Sequence, residues 1–369
     1  MKETLSGRQV TMLIMMYIIG SSVLFVAGID AKRDIWIAMI IAIAVGGLLS
    51  LIYSRLCSIL PGKDFYGVME FFFGKVVGKI LLAFLVWFAF DLCVFVLIDF
   101  GIFISSVGLE TTPINMVALV IMMTCALAVY KGIEVIARWN QITAIFVVAF
   151  IAIVVVIAYP KLDVHHLLPT LYHGWEPVIK GARGIISFPI AETVAFLLVL
   201  PAFKKGVNSY KAFYVGITLG GIVLLVTSVV EILVMDIHYA EMSLFPFYEA
   251  VSALRAGNVF SRLEIIAATV FTLTVFLKLS VLLLASSKGL TRILGFNDYR
   301  FVIIPISLLI GTVAAFSFHS IPVFHTWIFE EWPVYSALFE LIIPIGLWVF
   351  IEIKYRILKK QQKLPDLAA

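Results

Sequence analysis

Three ionisable residues lie at similar depth, near the middle of long apolar stretches of this 369-residue chain: Asp91, Glu192 and Lys278. A charge at the centre of a lipid-facing helix costs at least about 2.5 kcal/mol, so such residues face a protein interior, a cavity or one another. Intramembrane carboxylates and ammonium groups hold small polar ligands or relay protons, and a buried Asp–Lys or Glu–Lys pair also serves to fix helix register. Both interpretations stay open from the residues alone.

Three further carboxylates have a weaker claim to such a role, because they are expected nearer the outer face, where water reaches them. They are Asp99, Glu231 and Glu340.

The elements that position these residues follow from composition. Hydrophobic residues make up 62% of the chain, charged residues 14%, and the mean hydropathy is +1.10, which excludes a water-soluble globule. About 20 apolar residues cross the hydrocarbon core as a helix. Runs of this kind predict an all-α polytopic membrane protein whose residues 1–369 form a single transmembrane domain. The ten predicted spans are about 9–29, 35–57, 80–108, 113–130, 139–159, 183–201, 208–236, 263–290, 301–319 and 335–357.

The basic residues of the short loops predict the orientation. With both termini in the cytoplasm, the inner segments carry nineteen Lys and Arg residues and the outer segments carry seven. This bias is the positive-inside pattern, and it requires an even number of spans. The net charge of +4 therefore indicates topology and contact with anionic lipids, and we expect no nucleic-acid partner.

Signatures of enzyme chemistry are not found in the sequence. It contains no His-Glu-x-x-His motif, no Walker-type phosphate loop and no Gly-x-Ser-x-Gly elbow. Cys57, Cys93 and Cys125 fall in or beside apolar runs at unmatched depths, which argues against disulfides and a thiolate metal site. We expect neither an enzyme nor a cofactor or metal ion. The stretch "GITLGG" in the seventh span is typical of close helix packing.

Two spans contain residues that interrupt a helix. Gly20, Ser21 and Ser22 are poor helix formers in the middle of the first span, and Pro189 lies three residues before Glu192 in the sixth. Non-helical backbone at this depth must line a cavity or be buried in protein. Breaks five spans apart predict a 5+5 inverted repeat, about 9–159 and about 183–319 with the tenth span at 335–357, and a ligand site between the halves. The alternative for residues 20–22 is a tight helix crossing.

Several short motifs, in order along the chain, also resemble a known family. They are "IIGSSVLF", "FFFGKVVGK", "HHLLPTLYHGWEPVIKGA", "SFPIAE", and "FPFYEAV" followed by "SRLE". Together they resemble the permease-like B subunit of the nutrient germinant receptors of bacterial endospores, a spore germination permease family similar to the amino-acid, polyamine and organocation transporter superfamily. The resemblance implies a LeuT-like fold, the inner membrane of the spore, and association with an A subunit and a lipoprotein C subunit. It also implies a small nutrient ligand, such as an amino acid.

The expected site combines the two breaks with the spans beside them. Backbone amides at the first break are expected to accept an electron-rich group of the ligand. The resemblance further implies that Lys278 holds a fixed positive charge where sodium-coupled relatives place a cation. The predicted ligand-binding residues are Gly20, Ser21, Ser22, Phe88, Asp91, Phe95, Ser187, Phe188, Pro189, Glu192, Thr274 and Lys278. Two functions stay open: a germinant-sensing receptor subunit, and a proton-coupled secondary transporter of amino acids or related solutes.

Overall fold

A computed structural model of the chain describes residues 4–109, 111–201, 203, 207–254, 263–318 and 320–361. In that part of the chain, ten helices are long and apolar enough to cross a membrane, as predicted. They are Gly7–Leu24, Ile29–Ser58, Phe65–Val107, Ile114–Lys131, Ile133–Lys161, Trp175–Val199, Ser209–Met235, Leu263–Leu294, Arg300–Ser317 and Ile321–Lys360. Some basic residues used to predict the orientation, Lys204 and Lys205 among them, lie outside the described residues, and the orientation stays a prediction.

Local sequence explains where the helices begin. Ser6 caps the first span: its hydroxyl accepts a hydrogen bond from the Gln9 backbone N–H at 3.3 Å, and the Gln9 side chain accepts one from the Ser6 N–H at 2.9 Å. Asp64 caps the third span through the Gly67 N–H at 2.9 Å. The third span bends at Gly74, whose φ of 77° suits glycine, and the segment before this bend is tied to the sixth span by a 2.9 Å hydrogen bond from the Tyr66 hydroxyl to the Leu198 carbonyl.

The spans differ in how much of their surface the protein covers. The most apolar windows of the first and sixth spans are 72% and 78% buried, whereas those of the fourth and ninth are 33% and 22% buried. The first span packs closely on the seventh. A Cβ on Gly216 would lie 2.8 Å from Ile14, and one on Gly220 would lie 2.9 Å from Ile18. Close helix packing at "GITLGG" is thereby confirmed.

Both predicted helix breaks are confirmed. The α-helix of the first span ends at Ile19, Gly20 has φ 23° and ψ −125°, and a 3₁₀ turn follows over Ser21–Leu24. In the sixth span the α-helix Trp175–Ile185 gives way to a π-helical turn, Ile186–Ile190, in which Phe188 is extended. A 3₁₀ turn, Ala191–Ala195, and the short helix Phe196–Val199 complete that span.

The tenth span is longer than predicted and begins at Ile321 instead of about residue 335. Pro322 and Pro333 made this region resemble an outer turn, but Pro322 lies in the first turn of the first helical segment, where proline is tolerated, and Pro333 lies just after a π-helical turn within the span. Two π-helical turns, Trp327–Glu331 and Leu338–Ile342, join the segments. As a result Glu340 lies midway along the span, not near its outer end.

Candidate functional site

A fully buried ion pair connects the two breaks to the eighth span. Lys278 Nζ lies 2.6 Å from Glu192 Oε2, and both side chains have 0% exposure. Nζ also donates to the Ser21 hydroxyl at 3.3 Å. The ammonium group therefore joins three spans at one point, as expected for charges that cannot face lipid.

Aromatic rings complete the surroundings of this ammonium group. Nζ of Lys278 lies 4.6 Å from the centroid of the Phe188 ring and 5.4 Å from that of Tyr17. The negative face of an aromatic ring attracts a cation, more strongly when water is excluded. The Tyr17 ring in turn packs edge-on against Phe196 at 5.2 Å. We call Tyr17, Ser21, Phe188, Glu192 and Lys278 the lysine cage.

Hydroxyl groups from other spans satisfy the carbonyls that the breaks release. Thr274 Oγ1 donates to the Gly20 carbonyl at 2.8 Å, and the Tyr17 hydroxyl donates to the Glu192 carbonyl at 3.4 Å. The Tyr53 hydroxyl lies 3.3 Å from the Ala191 carbonyl and 2.7 Å from that of Glu340. An unsatisfied carbonyl in the bilayer costs several kcal/mol, so these donors make the breaks possible.

Gly20 is required by the close approach of its neighbours. A Cβ at this position would lie 2.5 Å from the Tyr17 carbonyl oxygen and 2.7 Å from Lys278 Cδ. The Lys278 side chain therefore occupies the space beside the first break. The Ser22 side chain is buried there with no hydrogen-bond partner among the residues described, whereas Ser187 donates to the Gly184 carbonyl at 3.3 Å.

The predicted third-span residues pack against the tenth span. Phe88 stacks on Phe339 at 5.6 Å, and Phe95 stacks on Trp327 at 4.7 Å. Asp91 is half-buried and interacts with the Tyr335 hydroxyl. The structure thus brings together Gly20, Ser21, Phe188, Glu192, Thr274 and Lys278, and it places the third-span residues in a neighbouring aromatic cluster.

A small cavity of about 10 Å³, room for one water molecule, lies beside the lysine cage, toward the predicted outer face. Phe188 belongs to both, because its ring lies over Lys278 and also lines the cavity. Asp99, 5% exposed, and His325 are the polar side chains of the lining. The remaining lining residues are Phe25, Phe324, Ile328 and Phe329. In the described state this cavity has room for no more than a water molecule, and an aromatic wall, a carboxylate and an imidazole surround this space.

Sequence reasoning missed several residues of this region. Tyr17 carried a usable signal, since it lies one helical turn before Gly20 on the broken span. Asp99 had a weaker claim because it was expected to be accessible to water near the outer face, yet it is buried. Tyr53 and His325 had no local signal, because they reach the site from spans that the motifs do not mark.

Comparisons with known proteins decide the family. A family model for spore permeases, described as spore germination protein, matches residues 4–321. This chain belongs to the spore germination permease family. The permease is 27% identical to spore germination protein KB of Bacillus subtilis (strain 168) over 292 residues, which are 78% of each chain.

Solved structures show the fold of the permease. It resembles Mhp1, a nucleobase-cation-symport-1 family transporter solved in a closed conformation with bromovinylhydantoin bound, with a TM-score of 0.68, 12% identity, and coverage of 91% of this chain and 76% of that one. It also resembles a variant of the manganese transporter of Eremococcus coleocola, with a TM-score of 0.58, 13% identity, and coverage of 92% and 77%. The permease is therefore a multi-pass membrane protein with a LeuT-like fold, as predicted. Family and fold point to a membrane receptor or transporter and away from an enzyme, while the boundaries of the two repeats stay a prediction.

Proposed function

We propose that this germination permease is the germinant-sensing membrane subunit of a spore nutrient receptor. It binds a small nutrient, an amino acid or a similar compound, between the first, third, sixth and eighth spans, and binding triggers germination. The observation that carries this proposal is the fully buried pair of Glu192 and Lys278 between two broken spans, next to a small cavity whose mainly apolar lining includes Asp99. Intramembrane charges at helix breaks are typical of substrate sites in this architecture.

In this proposal the cavity binds the nutrient and the lysine cage responds to its binding. The cavity widens when the nutrient enters; Asp99 then receives the cationic group of the nutrient, and the aromatic lining receives its apolar part. Phe188 transmits occupancy, because it lines the cavity and its ring also lies against the ammonium group of Lys278. A ligand shifts the equilibrium between two conformations only if it binds one of them more tightly. Because Phe188 belongs to both the cavity and the lysine cage, a change in the cage alters the affinity of the cavity for the nutrient.

The setting of the subunit is part of the same proposal. It lies in the inner membrane of the spore with both termini in the cytoplasm, and it assembles with a receptor A subunit and a lipoprotein C subunit. The relationship to spore germination protein KB and the ten apolar spans support this arrangement.

A ligand screen on the purified permease tests the proposal. A ligand that binds only the folded state at 100 times its Kd stabilises it by about 2.7 kcal/mol, so thermal unfolding in detergent with a panel of amino acids, sugars and nucleosides reveals the nutrient class. We expect one class to raise Tm, and Asp99→Asn to remove this rise. Glu241→Gln, at an exposed carboxylate, is the matched control and is expected to keep it. A panel without any stabilising compound, or full binding by the Asp99 variant, would contradict the proposed site.

A proton-coupled secondary transporter of amino acids or related solutes is the second candidate. The observation that favours it is the likeness to two transporters in fold. Uptake of the stabilising compound into liposomes, measured with and without an inward proton gradient, separates the two functions. Gradient-driven accumulation favours the transporter, and binding without accumulation favours the sensor.

A further inference from the structure

Glu340 is a second buried carboxyl group beside the lysine cage. Its side chain is 0% exposed, and the polar side chain beside its carboxyl group is Ser336, whose hydroxyl is not aligned for a regular hydrogen bond. It lies in the π-helical turn Leu338–Ile342, which packs on the 3₁₀ turn Ala191–Ala195 that carries Glu192. It interacts electrostatically with both Glu192 and Lys278.

The charges around Glu340 do not balance if every group is ionised as in water. Lys278 supplies one positive charge, and Glu192 already pairs with it at 2.6 Å. The other titratable groups that face this region are the Tyr17 and Tyr53 hydroxyls and the Cys93 thiol, which are neutral in water at pH 7, and two aspartates. Asp91 is half-buried against Tyr335, and Asp99 is a further buried carboxyl group that interacts with Lys278 and Glu192, so neither adds a positive charge. Two carboxylates that share a buried site with one cation cannot both be ionised without a further positive charge.

We propose that Glu340 carries a proton and is the alternate partner of Lys278. In the state described here, Glu192 is ionised against Lys278 and Glu340 is a neutral acid. Transfer of the proton from the Glu340 carboxyl group to the Glu192 carboxylate breaks one O–H bond, forms another and conserves the total charge. The transfer moves the ion pair of Lys278 from the sixth span to the tenth.

The backbone already links the two carboxyl groups. The Tyr53 hydroxyl lies 2.7 Å from the Glu340 carbonyl and 3.3 Å from the Ala191 carbonyl, so the second span holds both turns at once. A change of partner by Lys278 therefore acts on two turns that are held in common. This inference goes beyond the proposed ligand site and does not depend on it, because the proton is present whether or not a nutrient binds.

Infrared spectroscopy of the purified permease tests the assignment, because a protonated carboxylic acid has a carbonyl band distinct from the bands of a carboxylate. Glu231, 1% exposed and without a hydrogen-bond partner among the described residues, would contribute a band of its own. The series is therefore built on a Glu231→Gln background. In difference spectra against this background we expect Glu340→Gln to lose the equivalent of one acid. Glu249→Gln, at an exposed carboxylate, is the control and is expected to change nothing in this band.

Two further variants keep the test decisive if Glu340→Gln does not fold. Glu192→Gln is expected to lose one acid as well, because Glu340 then ionises against Lys278. Lys278→Met is expected to gain one acid, because both carboxyl groups are then neutral. Unchanged acid bands in Glu340→Gln or Glu192→Gln would overturn the proposal. A wild-type Tm that rises with sodium chloride but not with choline chloride would overturn it too, because the cluster would then hold an alkali cation in place of the proton.

Discussion

The sixth and ninth spans each contain a proline, and only the sixth is broken. Pro305 lies inside the ninth span, yet the α-helix continues from Arg300 to Ser317. Near Pro189 the sixth span passes through π-helical, extended and 3₁₀ backbone. The apolar window of the sixth span is 78% buried and that of the ninth is 22% buried. Proline alone therefore does not decide whether a membrane helix comes apart.

The difference lies in the groups that surround the freed backbone. Around the sixth span, the Tyr17 hydroxyl donates to the Glu192 carbonyl, and the Tyr53 hydroxyl shares its proton between the carbonyls of Glu340 at 2.7 Å and Ala191 at 3.3 Å. The ninth span faces mainly lipid, which supplies no donor, so a break there would leave several carbonyls unsatisfied. Keeping the helix and losing the one hydrogen bond at Pro305 costs less. A proline indicates a break only where other spans supply donors.

Removing the buried ion pair is the strongest test of the difference between the sixth and ninth spans, because the described part of the ninth span has no buried ion pair. Lys278→Met leaves Glu192 buried without its partner, and such a loss costs about 3–5 kcal/mol of stability. We expect this loss in the free energy of unfolding of the purified permease in detergent. Lys211→Met, at an exposed lysine, is the control and should change stability by less than about 0.5 kcal/mol. Lys278→Met combined with Glu192→Leu should recover most of the loss; a double variant as unstable as the single one would contradict the assigned role of the pair.

Two glycine substitutions, one in each kind of span, are expected to change stability in opposite directions. Gly20→Ala places a methyl group against the Tyr17 carbonyl at a positive φ, so we expect a loss of about 2–4 kcal/mol. Gly311→Ala, in the intact ninth helix, meets no atom within 4 Å and should stabilise by about 0.5–1 kcal/mol. Tm measured side by side checks both. A tolerated alanine at position 20 would show that the first break is not held in the described conformation.

Removing one hydroxyl gives the smallest expected effect. Tyr53→Phe leaves the carbonyls of Ala191 and Glu340 without their donor, which predicts a loss of about 1–3 kcal/mol in the free energy of unfolding. Tyr214→Phe, at an exposed ring, is the matched control and should be neutral. Ser307→Ala provides the contrast in the ninth span, where the Ile303 carbonyl loses the hydroxyl at 2.7 Å but keeps its place in the helix, and we expect less than about 0.5 kcal/mol. Equal losses for Tyr53→Phe and Ser307→Ala would show that the broken span does not depend on outside donors.

Sequence patterns predicted the spans and both breaks because hydrophobic length and helix-breaking residues are local properties. They also placed Glu192 and Lys278 at one depth, and the two side chains do meet. Depth does not fix the direction in which a side chain points around its helix, and Asp91, predicted at the same depth, lies against Tyr335. Glu340 was predicted too near the outer face, because an apolar count cannot tell a proline in a helix from one in a loop and the tenth span therefore seemed to begin too late.

The hydrogen bond from the Tyr66 hydroxyl to the Leu198 carbonyl couples two segments mechanically. It lies near the predicted inner face of the bilayer, opposite the cavity. The segment before the bend at Gly74 is held to the last turn of the sixth span, so a tilt of that turn either ruptures this attachment or drags the segment along. A movement of the sixth span at the lysine cage would therefore also move the segment before Gly74, which lies at the membrane surface. Gly74 is the hinge of this segment.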